Sequence, residues 1–383
     1  MRAGIGLGVV ASVLGCGAVE EPTSKGDKID EVVDLTVSLP PPESGYQLLT
    51  EPVIVEPGTE RFLCSVVQVT PQADEFLFWV DRLESMTSDE THHMNVYFGE
   101  FSFLEAFLGP EATLAALGVG PGTYDCEVLG GLMELAVPFF PSQRTNQRIT
   151  MPEGVAVPML APMTLVMEHH YLNLGEVPVR VNAALNLERT PVEDVTDVAS
   201  LVFDAISDLS VPSQTAKVEN RTCVFDREVD VALVSTHTHQ WAECASINHY
   251  DGARDAVEEE PFFVNKYWHV PPILHFERGA FSVAPGDGVH YACHYDNTTT
   301  RDLVDDGTAD GEMCVFAAVV YPAPVSVAEV EEVIGTGGLP ELLAMMGDVV
   351  TACDRQVETS TPWSGPPPDE ACEAYVQTDS NEL

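Results

Sequence analysis

The chain has 383 residues, 45% of them hydrophobic, with 61 acidic against 17 basic residues and a formal net charge of -44. At roughly 100–200 residues per domain, this length suggests two domains, each able to bury its own core. Such a charge repels nucleic acid and anionic membrane surfaces, and so argues against both as partners; it either keeps an exported chain in solution or draws in cations, copper or an amine among them.

Residues 1–16 begin with Met1-Arg2, run apolar over 5–14 and close on Gly15-Cys16. One positive charge, a short apolar stretch and a small residue before the break read as an export signal. The run is too short to span a bilayer as a permanent helix. An ending of the bacterial lipoprotein type would make Cys16 the lipidated first residue, whereas a plain cleaved signal would remove it. The expected location is therefore the bacterial periplasm, outer membrane or cell surface, with the membrane contacted only through an anchor at Cys16. Eight further cysteines follow, at 64, 126, 223, 244, 293, 314, 353 and 372. An even number in an exported chain implies disulfides, and none shows the CxxC spacing of a zinc ribbon.

Residues 17–33 are acidic and polar, with Pro22 and Gly26, and read as a tether. Runs rich in Val, Leu, Thr and Phe then alternate with Pro, Gly and Asp breaks, at 32–39, 60–69, 75–81, 94–98, 164–172 and 178–187. This is the spacing of an all-β sandwich. A helical insertion is expected over 103–117, broken at Gly109-Pro110. The stretch 188–197, with Thr190-Pro191, is the expected boundary between a first domain at 34–193 and a second at 194–356. The second carries predicted strands at 199–205, 221–225, 229–235, 280–284, 289–295 and 313–321. Helical periodicity follows at 325–334 and 339–350, and 357–383 reads as an extended tail rich in Pro and acids. The expected fold is all-β: two consecutive antiparallel β-sandwich domains, jelly-roll-like, in a monomer or weak oligomer.

Six of the eleven histidines fall into three close pairs, His92-His93, His169-His170 and His237/His239. Each pair sits at or beside a predicted strand. In a strand residues i and i+2 share a face, so His237 and His239 project side by side. Adjacent strand residues face opposite ways. His92 and His93 can therefore meet one metal only at a strand end or bulge; otherwise they are two unrelated surface histidines. Of His169 and His170, one is expected to point into a site and the other away. Imidazoles without a carboxylate or thiolate partner suit copper, zinc or iron. Met313, at the start of a predicted strand, is either core filler or a thioether that joins two imidazoles and selects Cu(I).

Four segments together resemble the copper type II, ascorbate-dependent monooxygenases, the family of dopamine β-monooxygenase and peptidylglycine α-hydroxylating monooxygenase. They are Thr91-His92-His93-Met94, Glu168-His169-His170-Tyr171, His237-Thr238-His239 and Gly311-Glu312-Met313-Cys314. The run Val283-Ala284-Pro285-Gly286-Asp287, followed by Cys293, is similar to the dopamine β-monooxygenase branch. The resemblance spans roughly residues 34–353. It implies two coppers per chain, one in each sandwich. His92, His93 and His170 would hold the electron-storing copper, and His237, His239 and Met313 the copper that meets dioxygen and substrate. Across an open, solvent-filled cleft these would hydroxylate an aliphatic C–H bond, with O2 and two electrons from ascorbate or a similar reductant. It also implies the disulfides Cys64–Cys126, Cys293–Cys314 and Cys223–Cys353. Cys244 and Cys372 have no counterpart and are left over as a pair that would tie the tail near the strand of His237 and His239.

The departures bear on substrate. The peptide-amidating branch places an arginine two residues before its His-Thr-His pair; here Ser235 stands there, which argues against a peptide substrate. Glu168 either meets a cationic substrate, as in the amine-hydroxylating branch, or is a satisfied strand carboxylate. His294, beside Cys293, is a further candidate for the cleft. Two other readings remain: a non-catalytic, copper-binding or copper-buffering exported lipoprotein, and a zinc hydrolase. The latter is disfavoured because no carboxylate lies at general-base spacing from a histidine pair.

Overall fold

The computed structural model describes residues 32–70, 76–99, 105, 109–133, 136–142, 144–305 and 311–336, with 341, 344–345, 347, 349–351, 353, 355–357 and 372 beyond them. The signal 1–16 with Cys16, nearly all of the tether, most of the tail and parts of the two helical stretches 103–117 and 339–350 lie outside the described residues.

The chain is mostly strand, and each half carries two large sheets with a common core. In the first half a five-stranded antiparallel sheet runs in the order Gly122–Asp125, Thr59–Val69, Met163–Asn173, Thr91–Gly99, Ala136–Ser142. A second sheet runs Asp197–Val198, Val155–Leu160, Leu77–Thr87, Ala183–Thr190, Gly45–Leu49, with Asn146–Thr150 also paired to Leu77–Thr87. Phe78, Leu83, Val157 and Leu185 of this sheet share one core with Met94, Val96, Leu165 and Met167 of the other. In the second half the inner sheet runs Leu274–His275, Val229–His237, Val315–Tyr321, Ser200–Ala205, Val350–Thr351. The outer sheet runs Ala256–Val257, Ala242–Asp251, Gly288–Asn297, Thr215–Val224, Arg355–Val357. Val231, Val234, Phe316 and Val320 of the inner sheet meet Ile247, Val289, Tyr291 and Cys293 of the outer one. The architecture is all-β, as the alternating runs predict. Three short edge pairings are parallel rather than antiparallel: Val33–Asp34 with Val179–Val181, Val155–Leu160 with Asp197–Val198, and Ser200–Ala205 with Val350–Thr351.

The inner sheet of the second half is buried on both faces. Leu233, Val319 and Tyr321 join the core of the first half, while Val231 and Val320 face the outer sheet. Residues 231 and 233 would share a face in a regular strand. A register shift between Val231 and Leu233 reverses the alternation, as a β-bulge does. Leu233, Ser235 and His237 are thereby turned toward the first half.

Several elements differ from the sequence expectation for local reasons. The run 32–39 yields only the strand Val33–Asp34, and 178–187 divides into Val179–Val181 and Ala183–Thr190. Asn182 causes both: its side chain accepts from the Val37 N–H at 2.7 Å and donates to the Val37 carbonyl at 3.3 Å, replacing ladder bonds. In the insertion 103–117, Pro110 opens the helix Pro110–Ala116, with Gly109 at φ 79 before it; a missing N–H costs nothing there, and apart from the helical Glu105 the part before Gly109 lies outside the described residues. The helix Val327–Thr336 matches the expectation within two residues. It opens with a capping box in which Ser326 and Glu329 exchange bonds of 2.8 Å and 3.3 Å. Val155–Leu160 is buried at every position, so it lacks the alternation that would have revealed it.

Four disulfides join Cys64 to Cys126, Cys223 to Cys353, Cys244 to Cys372 and Cys293 to Cys314. These are the three pairings implied by the resemblance and the leftover pair. Cys293–Cys314 links the two sheets of the second half.

Candidate metal centre

Met163–Asn173 lies beside Thr91–Gly99, with His170 opposite His93 and Tyr171 opposite Thr91. His92 is the extra residue of a β-bulge at that point, so it escapes the alternation that would have turned it away from His93. The three rings close into a triangle. Their centroids are 5.3 Å apart for His92 and His93, 5.1 Å for His92 and His170, and 4.9 Å for His93 and His170. Each offers a nitrogen within 4.8 Å of the others. His169, on the opposite face of the same strand, is fully buried against Tyr171, 5.6 Å between ring centroids, and stays out of the group.

Which nitrogens face inward follows from their neighbours. Glu60 Oε1 stands 2.6 Å from His170 Nε2, and Glu168 Oε1 stands 3.4 Å from His93 Nε2. A carboxylate only accepts, so His170 carries its proton on Nε2 and keeps a lone pair on Nδ1. The Nδ1 atoms of His93 and His170 are buried with no hydrogen-bond partner, which is costly unless something else binds there. Burial, with the charges of His93 and other imidazoles, holds His92 down to about 4 and His170 to about 3. Neutral imidazoles at neutral pH are the form a metal requires. Phe62 stacks on His170 at 4.0 Å, and Trp268 of the second half meets His92 edge-on at 5.0 Å.

His237 closes its strand, so His239 lies beyond it. The shared face that the sequence predicts is achieved by a different device. Glu312, fully buried, accepts from the backbone N–H of His239 at 3.0 Å, of Trp241 at 2.7 Å and of Met313 at 3.1 Å. One carboxylate therefore fixes His239 and Met313 relative to each other. Burial raises the Glu312 carboxyl to about 7, against the pull of these donors. The rings of His237 and His239 stand 5.1 Å apart, nearly perpendicular. His239 Nδ1 lies 3.3 Å from the Gly311 carbonyl, which assigns the proton to Nδ1 and the lone pair to Nε2. Burial lowers His237 well below the usual histidine range.

His92, His93, His170, His237, His239 and Met313 all line one cavity of about 350 Å³ between the halves. The resemblance implies two sets that face each other across an open, solvent-filled cleft. The ring of His93 stands 6.3 Å from that of His237, so the sets adjoin. His294 is not part of the cavity lining; it is buried beside the Cys244–Cys372 bridge, because it points to the outer side of its sheet.

No family model matches the chain, and no curated protein matches it in sequence. Among solved structures, the crystal structure of the STIV MCP is similar with a TM-score of 0.31 at 8% identity, covering 72% of this chain and 96% of that one. A likeness this weak carries no argument about function.

Glu60, Phe62, Trp268 and the role of Glu312 escape the sequence reading. Glu312 borders Met313 and is the only one a motif touches. Glu60 and Trp268 reach the site from elements with no histidine of their own in it, and only the folded chain brings them there.

Proposed function

We propose that the chain is a copper-dependent monooxygenase, exported and lipid-anchored at Cys16, that hydroxylates an aliphatic C–H bond. The overall change would be R–H + O2 + ascorbate → R–OH + H2O + dehydroascorbate, or the same with another two-electron reductant. The observation that carries this reading is the convergence of five imidazoles and one thioether, from four separate segments, on one cavity. The donor set fits copper. Three imidazoles suit a centre that cycles between Cu(I) and Cu(II), and two imidazoles with a thioether favour Cu(I). Copper would supply the one-electron steps and the reduction of O2. The protein's own groups hold the ligands. Glu60 and Glu168 orient His170 and His93, Glu312 locks His239 to Met313, and the rest of the cavity wall is largely apolar.

The test is copper stoichiometry, EPR of the oxidised protein, and O2 uptake with ascorbate across a substrate panel. Two coppers per chain and substrate-coupled O2 uptake are expected. Met313→Ile should abolish coupled turnover while the three-histidine set stays loaded. Copper binding without coupled uptake by the wild-type protein would leave a copper-binding protein, and zinc alone in the native protein would defeat both copper readings.

A further inference from the structure

The cavity that holds the six candidate ligands also constrains what enters beside them, and this inference rests on the copper-monooxygenase reading. Apart from the imidazoles and Met313, six polar side chains line it: Asn95, Tyr97, Gln147, Glu168, Ser235 and Thr236. Every one is already bonded within the protein. Asn95 Nδ2 donates to Glu168 Oε1 at 3.3 Å and Tyr97 Oη donates to Glu168 Oε2 at 3.4 Å. Gln147 Nε2 donates to the Pro141 carbonyl at 2.7 Å, and Ser235 Oγ to the Pro272 carbonyl at 2.9 Å. Thr236 Oγ1 accepts from Asn265 Nδ2 at 3.2 Å. Among the described residues neither lysine nor arginine lines the cavity.

Among the described residues Glu168 is the one carboxylate in the lining, and it serves three donors: His93, Asn95 and Tyr97. An ammonium entering the cavity would lose its hydration and meet only a carboxylate already shared among three donors; a carboxylate would find no cation. Burying either charge without restoring the hydrogen bonds it made in water is strongly unfavourable. The remaining wall is apolar, with Phe139, Phe140, Ile149, Leu233, Val315 and Val319 among it. Its volume of about 350 Å³ falls within the range of small-molecule sites, roughly 300–1,000 Å³.

We propose that the substrate is a neutral, predominantly apolar small molecule that presents an aliphatic C–H bond, rather than an amine or a carboxylate. Recognition comes from burial of its hydrocarbon surface against these walls. Glu168 is a positioning group for His93 and not a substrate anchor.

Three probes with one carbon skeleton test this: ethylbenzene, phenethylamine and phenylacetate, titrated into the full, copper-loaded protein by calorimetry. Ethylbenzene is expected to bind at least tenfold more tightly than either charged probe. Ala317→Leu, which fills space at the cavity wall, should weaken ethylbenzene binding several-fold while copper content stays unchanged. Tighter binding of phenethylamine, or no binding of ethylbenzene to a protein that holds its copper, would overturn the proposal. Copper content, measured on the same samples, reads the monooxygenase reading separately. A protein that takes ethylbenzene but no copper defeats that reading and leaves the ligand class of the cavity standing.

Discussion

His170 has two ring nitrogens, and Glu60 occupies one of them at 2.6 Å. That contact fixes the tautomer and the ring plane, and it leaves Nδ1 as the donor toward His92 and His93. Carboxylates in this position raise ligand basicity and orient the ring, and their loss typically lowers metal affinity by about 10- to 100-fold. Glu60→Ala is therefore expected to weaken copper at the three-histidine set by about that factor, read by competition with a chelator. Glu60→Gln, whose carbonyl still accepts from Nε2, should recover part of it. Copper at His237, His239 and Met313 should be unaffected in both. Equal affinities in wild type and Glu60→Ala would show that His170 needs no orienting partner.

At the scale of elements, the site depends on two bulges. One lets His92 and His93 share a side of the Thr91–Gly99 strand. The other turns Leu233, Ser235 and His237 toward the first half. Both need the surrounding ladders to hold their register. In the outer sheet the strand Gly288–Asn297 approaches Thr215–Val224 so closely that a Cβ on Gly288 would lie 2.0 Å from the Cys223 carbonyl oxygen. Backbone cannot yield there as a flexible side chain would. Gly288→Ala is expected to destabilise the protein by about 1–3 kcal/mol or more, visible as a lower urea midpoint. An unchanged midpoint would mean that this strand pair tolerates separation beside Cys223.

The whole molecule also buries histidines that lie outside the cavity, His290 and His294 among them. Burial holds His290 down to about 4, and burial with the charge of His290 does the same to His294. In the unfolded chain these groups take protons near 6.5, so unfolding gains protons between that value and about 4. Their contribution to stability is complete above pH 6.5 and is lost progressively as the pH falls to about 4. With about 1.4 kcal/mol per tenfold change in proton affinity, each group accounts for on the order of 3 kcal/mol. Denaturant midpoints across that interval should fall accordingly. His290→Gln, which keeps a partner for Thr222 Oγ1 now 2.9 Å from His290 Nδ1, should flatten the decline. A slope identical to wild type would place the acid sensitivity elsewhere.

The sequence by itself determined the all-β class, because period-2 burial and turn residues are local properties. It also determined which histidines to watch, since paired imidazoles beside strands are visible without a fold, and three of the disulfides through the resemblance. Strands such as Val155–Leu160 stayed hidden because burial on both faces removes the alternation that identifies a strand. The residues alone could not tell His169 from His170; the resemblance pointed to His170, and the tertiary structure brings that residue to the triangle because of the face of Met163–Asn173 that meets Thr91–Gly99. Only the tertiary structure revealed that the two candidate ligand sets adjoin. Their contact is made across the two halves, by side chains 144 positions apart in His93 and His237, and no local pattern encodes a distance of that kind. The same holds for Glu60 and Glu312, whose roles come from the groups the fold brings to them.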